Sequence, residues 1–236
     1  KQFGIDSAIR EDKLKVMGSA RYSQEWQKIN LQLSCSQARN PPSSDHFRVA
    51  FFLRHWEYHI DRGKCLELLG KIGDIPHLEL IIIGHTRGRV AGGLTIKEEK
   101  TFLEKKNITY VSAGDQSTSL IADSNMVVAY GTSIAFEALL QNVVICNPTF
   151  LTSNETIFND SGVVYDAATI EATIGFIDDQ MKKTPWAPER PVVQAFLEKH
   201  LSDGNDPATI LDQYKALVLG QTIVSQKLNV SNASVQ

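Results

Sequence analysis

Short apolar runs alternate with helical segments between Phe47 and Lys183, and this alternation restricts the possible folds more than any other feature. Each run has the length and composition of a buried strand, and most runs are followed by a segment with helical periodicity. Strands that alternate with helices form βαβ units, whose strands lie parallel in one sheet. The sequence therefore predicts an α/β fold: a doubly wound, Rossmann-like parallel sheet of about six strands.

The predicted elements follow from these two periodicities. The predicted strands are 47–53, 78–84, 108–112, 126–130, 143–147 and 163–165, with a further short strand at 13–18. The predicted helices are 62–75, 95–106, 117–123, 134–140, 169–183, 191–201 and 207–219.

Composition suggests where the domain begins. Residues 34–45 are polar and contain Pro41-Pro42 and Ser43-Ser44, a composition typical of a linker. We therefore predict that 1–33 is the end of a preceding domain or an interdomain segment, that 46–220 is the α/β domain, and that 221–236 is a fraying tail.

Charge and cysteine usage narrow the classes of function. The net charge of −3 gives no reason to expect nucleic-acid binding. No apolar run reaches the roughly 18 residues that a membrane span needs. The three cysteines show no metal-ligand spacing, so we expect no metal site and a reducing, cytoplasmic location.

The stretch from Asn125 to Leu140 combines a predicted strand, a glycine turn and an apolar helix. Gly131 ends the strand, and Thr132 or Ser133 can cap the helix that follows. Free N–H groups at such a turn bind anions, most often phosphate. Glu137 lies one turn after Ser133 on the same helical face, where a carboxylate can bind a ribose. The alternative is purely structural: a capped core helix in which Glu137 pairs with a Lys or Arg.

Other polar residues follow the predicted strands, at the edge where ligands bind in parallel sheets. Arg54 can bind a phosphate, or it can form a surface ion pair. His55 or His59 can act as a general acid or base, or both can be ordinary loop residues. After the second strand, Gly84, His85 and Arg87 form either a phosphate cradle or a glycine-rich surface loop.

Weaker signals follow two further strands. After the third strand, the turn 113–117 can hold a nucleobase edge, although Asp and Ser are also ordinary capping residues. After the fifth strand, Asn147-Pro148-Thr149 can reach the sugar portion of a ligand.

Several familiar motifs are absent from the sequence. There is no Walker loop and no G-x-G-x-x-G, which argues against an NTPase or a dinucleotide-dependent dehydrogenase. There is also no G-x-S-x-G elbow, which argues against a hydrolase of that type.

The order of the motifs resembles the nucleotide-binding C-terminal half of GT-B glycosyltransferases, in particular the bacterial surface-polysaccharide and CDP-glycerol glycerophosphotransferase-like group. Gly18-Ser19-Ala20-Arg21 resembles the family's Gly-x-Pro-Arg motif, and Phe51-Phe52-Leu53-Arg54 its strand ending in Arg. Ile82-Ile83-Gly84-His85-Thr86 resembles its strand ending in His-Pro. Residues 121–124 with 131–139 resemble its Ala-Asp helix, Ser-Ser turn and buried helix. The resemblance covers roughly 13–150.

Three departures from the family's motifs leave the identity of the donor open. Ala20 and Thr86 replace the prolines of their motifs, and Tyr130-Gly131-Thr132-Ser133 stands where the glycerophosphotransferases have Asp-Tyr-Ser-Ser.

The resemblance implies a role for several of these residues and a set of partners. His85, Thr132 and Ser133 would contact the donor phosphates, and Glu137 the ribose. The donor would be a nucleotide-activated sugar and the acceptor a glycan or a lipid-linked acceptor, with no further cofactor. A separate N-terminal domain would bind the acceptor and often supplies the catalytic base in this family, so we expect this chain to be a fragment. Peripheral association with the inner face of the membrane is compatible with such a role.

Two other readings of the sequence stay open. One is half of a nucleotide-sugar 2-epimerase, which would need catalytic carboxylates from both domains. The other is a non-catalytic doubly wound binding module that resembles a receiver or a flavodoxin. A receiver would carry an acidic cluster after its first strand, where this chain has Arg54 and His55.

Overall fold

A computed structural model of the protein describes residues 17–37, 47–85, 92–112, 117–182, 185–202 and 205–220, without the side chains of 33–37. Its central feature is a sheet of six parallel strands. The strands are β1 (Phe47–Phe52), β2 (Leu78–Ile83), β3 (Ile108–Val111), β4 (Met126–Val128), β5 (Val144–Pro148) and β6 (Tyr165–Ala167).

The strand order, β3-β2-β1-β4-β5-β6, is that of a doubly wound sheet. The chain first builds outward from β1 through β2 to β3, and then returns to place β4 on the other side of β1. The direction of winding therefore reverses between β1 and β4, and ligands bind beyond the carboxyl ends of the strands at such a point. The predicted α/β class with one parallel, doubly wound sheet is confirmed.

Helices connect most of the successive strands, and three more helices come after β6 in the sequence. They are α1 (Gln24–Gln37), α2 (Arg62–Ile72), α3 (Ile96–Leu103), α4 (Ser117–Ala122), α5 (Ile134–Leu140), α6 (Ile170–Gln180), α7 (Arg190–Leu197) and α8 (Ile210–Val218). A π-helical turn, Glu198–Ser202, continues from α7. Every residue of α5 after Ile134 is buried, as the apolar sequence of this segment predicts.

The core lies on both sides of the central strands. Val49 and Phe51 of β1 and Met126 and Val128 of β4 have no exposed surface, and they join one apolar cluster with helices α2 and α6. Residues at odd and even positions of β4 are equally buried, because both faces of the sheet are covered. The central strands thus give the residues that follow them a rigid base.

Element boundaries differ from the prediction in places. Strand β6 begins at Tyr165, since Val163 and Val164 are buried but precede the ladder with β5. Apolar character predicted their burial correctly but not the start of strand pairing. Helix α1 runs to Gln37 and so includes the first residues of the predicted linker, while 38–46 and the predicted strand residues 13–16 lie outside the described residues.

The chain divides into two compact units. Residues 29–193 contain the sheet, and the described parts of 1–28 and 194–236 form the other unit. In this smaller unit Gly18 has a positive φ of 78°, and its carbonyl accepts a hydrogen bond from the Tyr214 hydroxyl at 3.0 Å. The amide of Ser19 donates to the Leu201 carbonyl at 2.7 Å, so the Gly18 motif has a defined backbone position within its unit.

No helix in the described part of the chain combines the length and the apolar character that crossing a membrane requires.

We expect Thr95→Ala to lower the free energy of unfolding by about 1 kcal/mol, the usual value of an N-cap hydroxyl. The Thr95 hydroxyl accepts from the Glu98 amide at 3.3 Å, and Glu98 in turn accepts from the Thr95 amide at 2.8 Å. Urea denaturation measures the loss.

Thr101→Ala is the matched control, because Thr101 lies within the same helix and its hydroxyl donates to the Lys97 carbonyl at 3.0 Å rather than capping a helix end. This variant should be neutral or slightly stabilising. Equal losses for both threonines would contradict the capping role of Thr95.

Candidate functional site

Three of the predicted polar segments meet at the carboxyl edge of the sheet. Arg54 and His55 follow β1, Gly84 and His85 follow β2, and Gly131 follows β4. Because β1 lies between β2 and β4, these segments are neighbours in space although they are distant in sequence. The sheet therefore places them together at the point where the winding direction reverses.

The Arg54 side chain lies at the centre of this edge. Its Nη1 atom is buried and has no hydrogen-bond partner among the described residues. The guanidinium carbon lies 5.2 Å from the centre of the Tyr58 ring, a cation–π contact. Burial lowers the pKa of Arg54, yet arginine keeps its charge at neutral pH. A charged, partly buried group thus holds one unused donor.

Gly131 forms the opposite wall of the site. Its φ is +57°, a conformation that side chains other than glycine rarely adopt. A Cβ atom here would collide with Nη1 of Arg54 and would lie 3.0 Å from Cγ2 of Thr156. The missing side chain is what allows the guanidinium to rest on the turn after β4.

Tyr130 is a buried residue that interacts with the Arg54 amide and charge. Its side chain has no exposed surface, and its hydroxyl lies 3.6 Å from Cys65 Sγ. Burial raises the pKa of this hydroxyl well above its ordinary value, and the Arg54 amide and charge act in the opposite direction. Burial likewise raises the pKa of Cys65 to about 12, so this thiol stays protonated at neutral pH. The sequence placed Tyr130 in the predicted strand and in the motif at the turn, but it did not indicate this buried contact.

His55 and His85 bring two imidazoles to the same edge. Their ring centres are 5.6 Å apart and the rings are nearly perpendicular. His55 is buried, and its Nδ1 accepts from the Glu57 amide at 3.3 Å, so its Nε2 carries the proton in the neutral form. The Glu57 carboxylate lies 3.8 Å from the same Nδ1.

The loop after β2 returns to this edge. The backbone amide of buried Gly84 donates to the Val111 carbonyl at 3.0 Å, and the backbone amide of His85 donates to the Gly92 carbonyl at 2.9 Å. A Cβ at Gly92 would collide with the His85 side chain and lie 3.0 Å from the Arg54 carbonyl, so this glycine permits close packing. Arg87 and its neighbours in 86–91 lie outside the described residues.

Thr132 and Ser133 begin helix α5 in an unexpected way. The Ser133 side chain makes no capping hydrogen bond, because the residue has helical torsion angles (φ −64°, ψ −13°). Thr132 Oγ1 instead accepts from the Ile134 amide, at a long 3.5 Å. Of the two capping residues that the sequence offered, the structure thus uses Thr132, and its contact is weak.

Glu137 is buried in α5, with 1% of its surface exposed. Its carboxylate accepts from the Thr118 hydroxyl at 3.0 Å. Gln141, one turn later, donates to the Thr118 carbonyl at 3.1 Å and to Asn30 Oδ1 at 2.9 Å. Glu137 therefore belongs to a buried polar network, and its contact with a ribose stays a prediction.

The segment 152–162 forms a wall that the sequence did not reveal. Thr156 Cγ2 lies 3.0 Å from the position that a Cβ of Gly131 would occupy. The Phe158 ring centre lies 5.1 Å from that of Phe136, and Asn154 Nδ2 donates to the Tyr58 carbonyl at 3.0 Å. The segment thereby joins the turn after β1 to the turn after β4. The pattern carries no signal for these contacts, because they depend on how distant loops meet.

Strand β6 fixes this wall. Asp166 accepts from Asn147 Nδ2 at 2.6 Å and from the Asp160 amide at 2.7 Å, and Asp160 has a positive φ of 54°. Thr149 donates to the Ala167 carbonyl at 3.1 Å. Asn147 and Thr149, which the sequence offered as sugar contacts, thus make hydrogen bonds within the domain. The turn 113–116 lies outside the described residues.

No group of three metal-ligating side chains occurs within the residues that the structure describes.

Neither a protein-family model nor a curated protein sequence matches this chain. Solved structures do match it. A glycosyltransferase from Rickettsia africae matches with a TM-score of 0.50 and 12% identity, over 89% of this chain and 57% of that one. WaaG, a glycosyltransferase involved in lipopolysaccharide biosynthesis, matches with a TM-score of 0.47 and 11% identity, over 89% of this chain and 58% of WaaG. HepE from Anabaena, solved with UDP and glucose, matches with a TM-score of 0.48 and 12% identity, over 80% of this chain and 52% of HepE.

The likeness to the Rickettsia africae structure shows a fold of the kind found in GT-B glycosyltransferases, in agreement with the resemblance of the motifs. The chain spans somewhat more than half the length of the three structures. Membership of the CDP-glycerol group, and which half of such an enzyme the chain represents, stay predictions.

We expect Gly131→Ala to lower the free energy of unfolding by at least about 1–2 kcal/mol, the cost of a left-handed conformation for a residue with a Cβ. The added Cβ would also displace the Arg54 guanidinium from the turn. Urea denaturation provides the measurement.

Gly175→Ala is the control. Gly175 lies within α6 and has open space around its Cβ position, so alanine should stabilise that helix by about 0.5–1 kcal/mol. If Gly131→Ala were as well tolerated as Gly175→Ala, the close packing of Arg54 on the turn would be wrong.

Proposed function

We propose that this domain binds the nucleotide diphosphate of an activated sugar, as the donor half of a glycosyltransferase that acts in surface-polysaccharide synthesis. The observation that carries the proposal is the buried Nη1 of Arg54, which has no partner among the described residues and lies where the sheet reverses its winding. A buried charged donor without a partner is costly, and a phosphate oxygen would supply the missing hydrogen bond.

The surroundings of Arg54 suit an anion. The imidazoles of His55 and His85 and the turn at Gly131 lie at the same edge. We infer that His85, Thr132 and Ser133 complete the contacts to the diphosphate, with Arg87 from the neighbouring loop. Gly84 precedes His85 at the end of β2 and is proposed as part of the same phosphate site. Glu137 is proposed to bind the ribose, and its carboxylate would then accept from both the ribose and the Thr118 hydroxyl.

The proposed chemistry is positioning and charge stabilisation. When the glycosidic bond to the diphosphate breaks, negative charge grows on the leaving phosphate, and a fixed guanidinium stabilises this charge. In this proposal the other half of the enzyme binds the acceptor, a glycan or a lipid-linked acceptor, and supplies the catalytic base. It would bring the acceptor hydroxyl to the donor sugar.

We expect Arg54→Ala to weaken the binding of UDP by about 1.5–3 kcal/mol, roughly tenfold or more, because it removes a hydrogen bond to a charged group. Binding of uridine should change much less, since uridine has no phosphate. Calorimetric titration of both ligands measures the two effects, and a preliminary screen of UDP, CDP, CMP and GDP selects the base.

Arg48→Ala is the matched control, because Arg48 lies at the other end of the same strand and pairs there with Glu79 at 2.9 Å. It should bind UDP like the native protein. Arg54→Lys, which keeps the charge and loses the planar fork, should bind with intermediate affinity. Failure of the native protein to bind any nucleoside diphosphate, or equal losses in the Arg54 and Arg48 variants, would contradict the proposal.

A further inference from the structure

Tyr58 is a large aromatic residue that remains 38% exposed beside the candidate site. Its ring centre lies 5.2 Å from the Arg54 guanidinium carbon and 5.1 Å from the centre of the His55 ring. The ring thus packs against two residues of the candidate site, Arg54 and His55, and it does not belong to the apolar core cluster.

Hydrogen bonds fix the backbone of Tyr58. The Tyr58 amide donates to the His55 carbonyl at 3.1 Å, and the Tyr58 carbonyl accepts from Asn154 Nδ2 at 3.0 Å. The next residue, His59, has a positive φ of 56°, which is uncommon for a residue with a side chain. An exposed side chain on so constrained a backbone is consistent with a role in the site.

The contact leaves the donors of Arg54 available. The guanidinium carbon lies over the Tyr58 ring, 5.2 Å from its centre. The ring attracts the cation but supplies no lone-pair acceptor, so Nη1, which lies beside Gly131, keeps its capacity to donate to a ligand oxygen. Tyr58 therefore restrains the position of the guanidinium without accepting a hydrogen bond from Nη1.

We propose that Tyr58 is a positioning residue, which orders the Arg54 guanidinium so that its Nη1 edge faces the diphosphate of the ligand. This inference rests on the proposed function for its consequence in binding, but the ordering of Arg54 is a property of the ligand-free protein. The two claims can therefore be tested separately.

The binding test compares Tyr58→Leu, which removes the ring, with Tyr58→Phe, which keeps it. Tyr58→Leu should weaken UDP and inorganic pyrophosphate by a similar factor, about two- to fivefold, the usual strength of an exposed cation–π contact. Tyr58→Phe should bind both as the native protein does. Melting curves of the variants check that they are folded.

Nuclear magnetic resonance of the arginine side chains provides the ligand-free test. In Tyr58→Leu the Arg54 side-chain signals should lose their ring-current shift, and rotation about the Cζ–Nη bonds should become faster. In Tyr58→Phe both should stay as in the native protein. Unchanged Arg54 signals in Tyr58→Leu would overturn the positioning role.

The pattern of affinities separates the remaining outcomes. If Tyr58→Leu bound pyrophosphate normally but lost UDP and uridine equally, the ring would stack on the base and the positioning role would be wrong. Native affinity of Tyr58→Leu for UDP would also overturn it, with the proposed function intact. If the native protein bound neither UDP nor pyrophosphate, the proposed function would fail, and the Arg54 signals alone would decide whether Tyr58 orders this side chain.

Discussion

The contact between Arg54 and the glycine turn at Gly131 is the interaction on which the site depends. It joins the carboxyl ends of β1 and β4, the two neighbouring strands between which the sheet reverses its winding. A side chain at position 131 would occupy the space of the guanidinium, and a smaller residue at position 54 would leave the turn uncovered. The same packing that buries Nη1 also leaves it without a partner among the described residues. A structural requirement and a capacity to bind an anion thus arise from one contact.

The rest of the domain keeps this contact in place. Buried Tyr130 interacts with the Arg54 amide and charge, and its hydroxyl lies 3.6 Å from Cys65 Sγ of helix α2. Thr156 of the segment 152–162 lies beside the turn at Gly131, and Asp166 of β6 holds this segment by accepting from the Asp160 amide. A buried residue after β4 and a loop bonded to β6 thus keep the arginine in place.

Much of the fold was predictable from the sequence, because apolar runs of strand length alternate with helical segments and permit few other arrangements. The start of β6 was not predictable in this way, because Val163 and Val164 are buried but do not pair with β5. At the site, position after a strand identified Arg54, His85 and Gly131. The same reasoning could not identify the contacts of Tyr58, Thr156 or Asp166, which depend on how distant loops meet. Nor could it decide the partner of Glu137, which lies on another helix.

The central claim is that Arg54 binds the diphosphate of a nucleotide donor. A crystal structure of this domain with UDP tests it most directly. We expect a phosphate oxygen within about 2.7–2.9 Å of Arg54 Nη1, the range of a charge-assisted hydrogen bond. We also expect the diphosphate to lie over the turn at Gly131, with His85 beside it. UDP bound elsewhere on the domain, with Nη1 still without a partner, would contradict the role of Arg54.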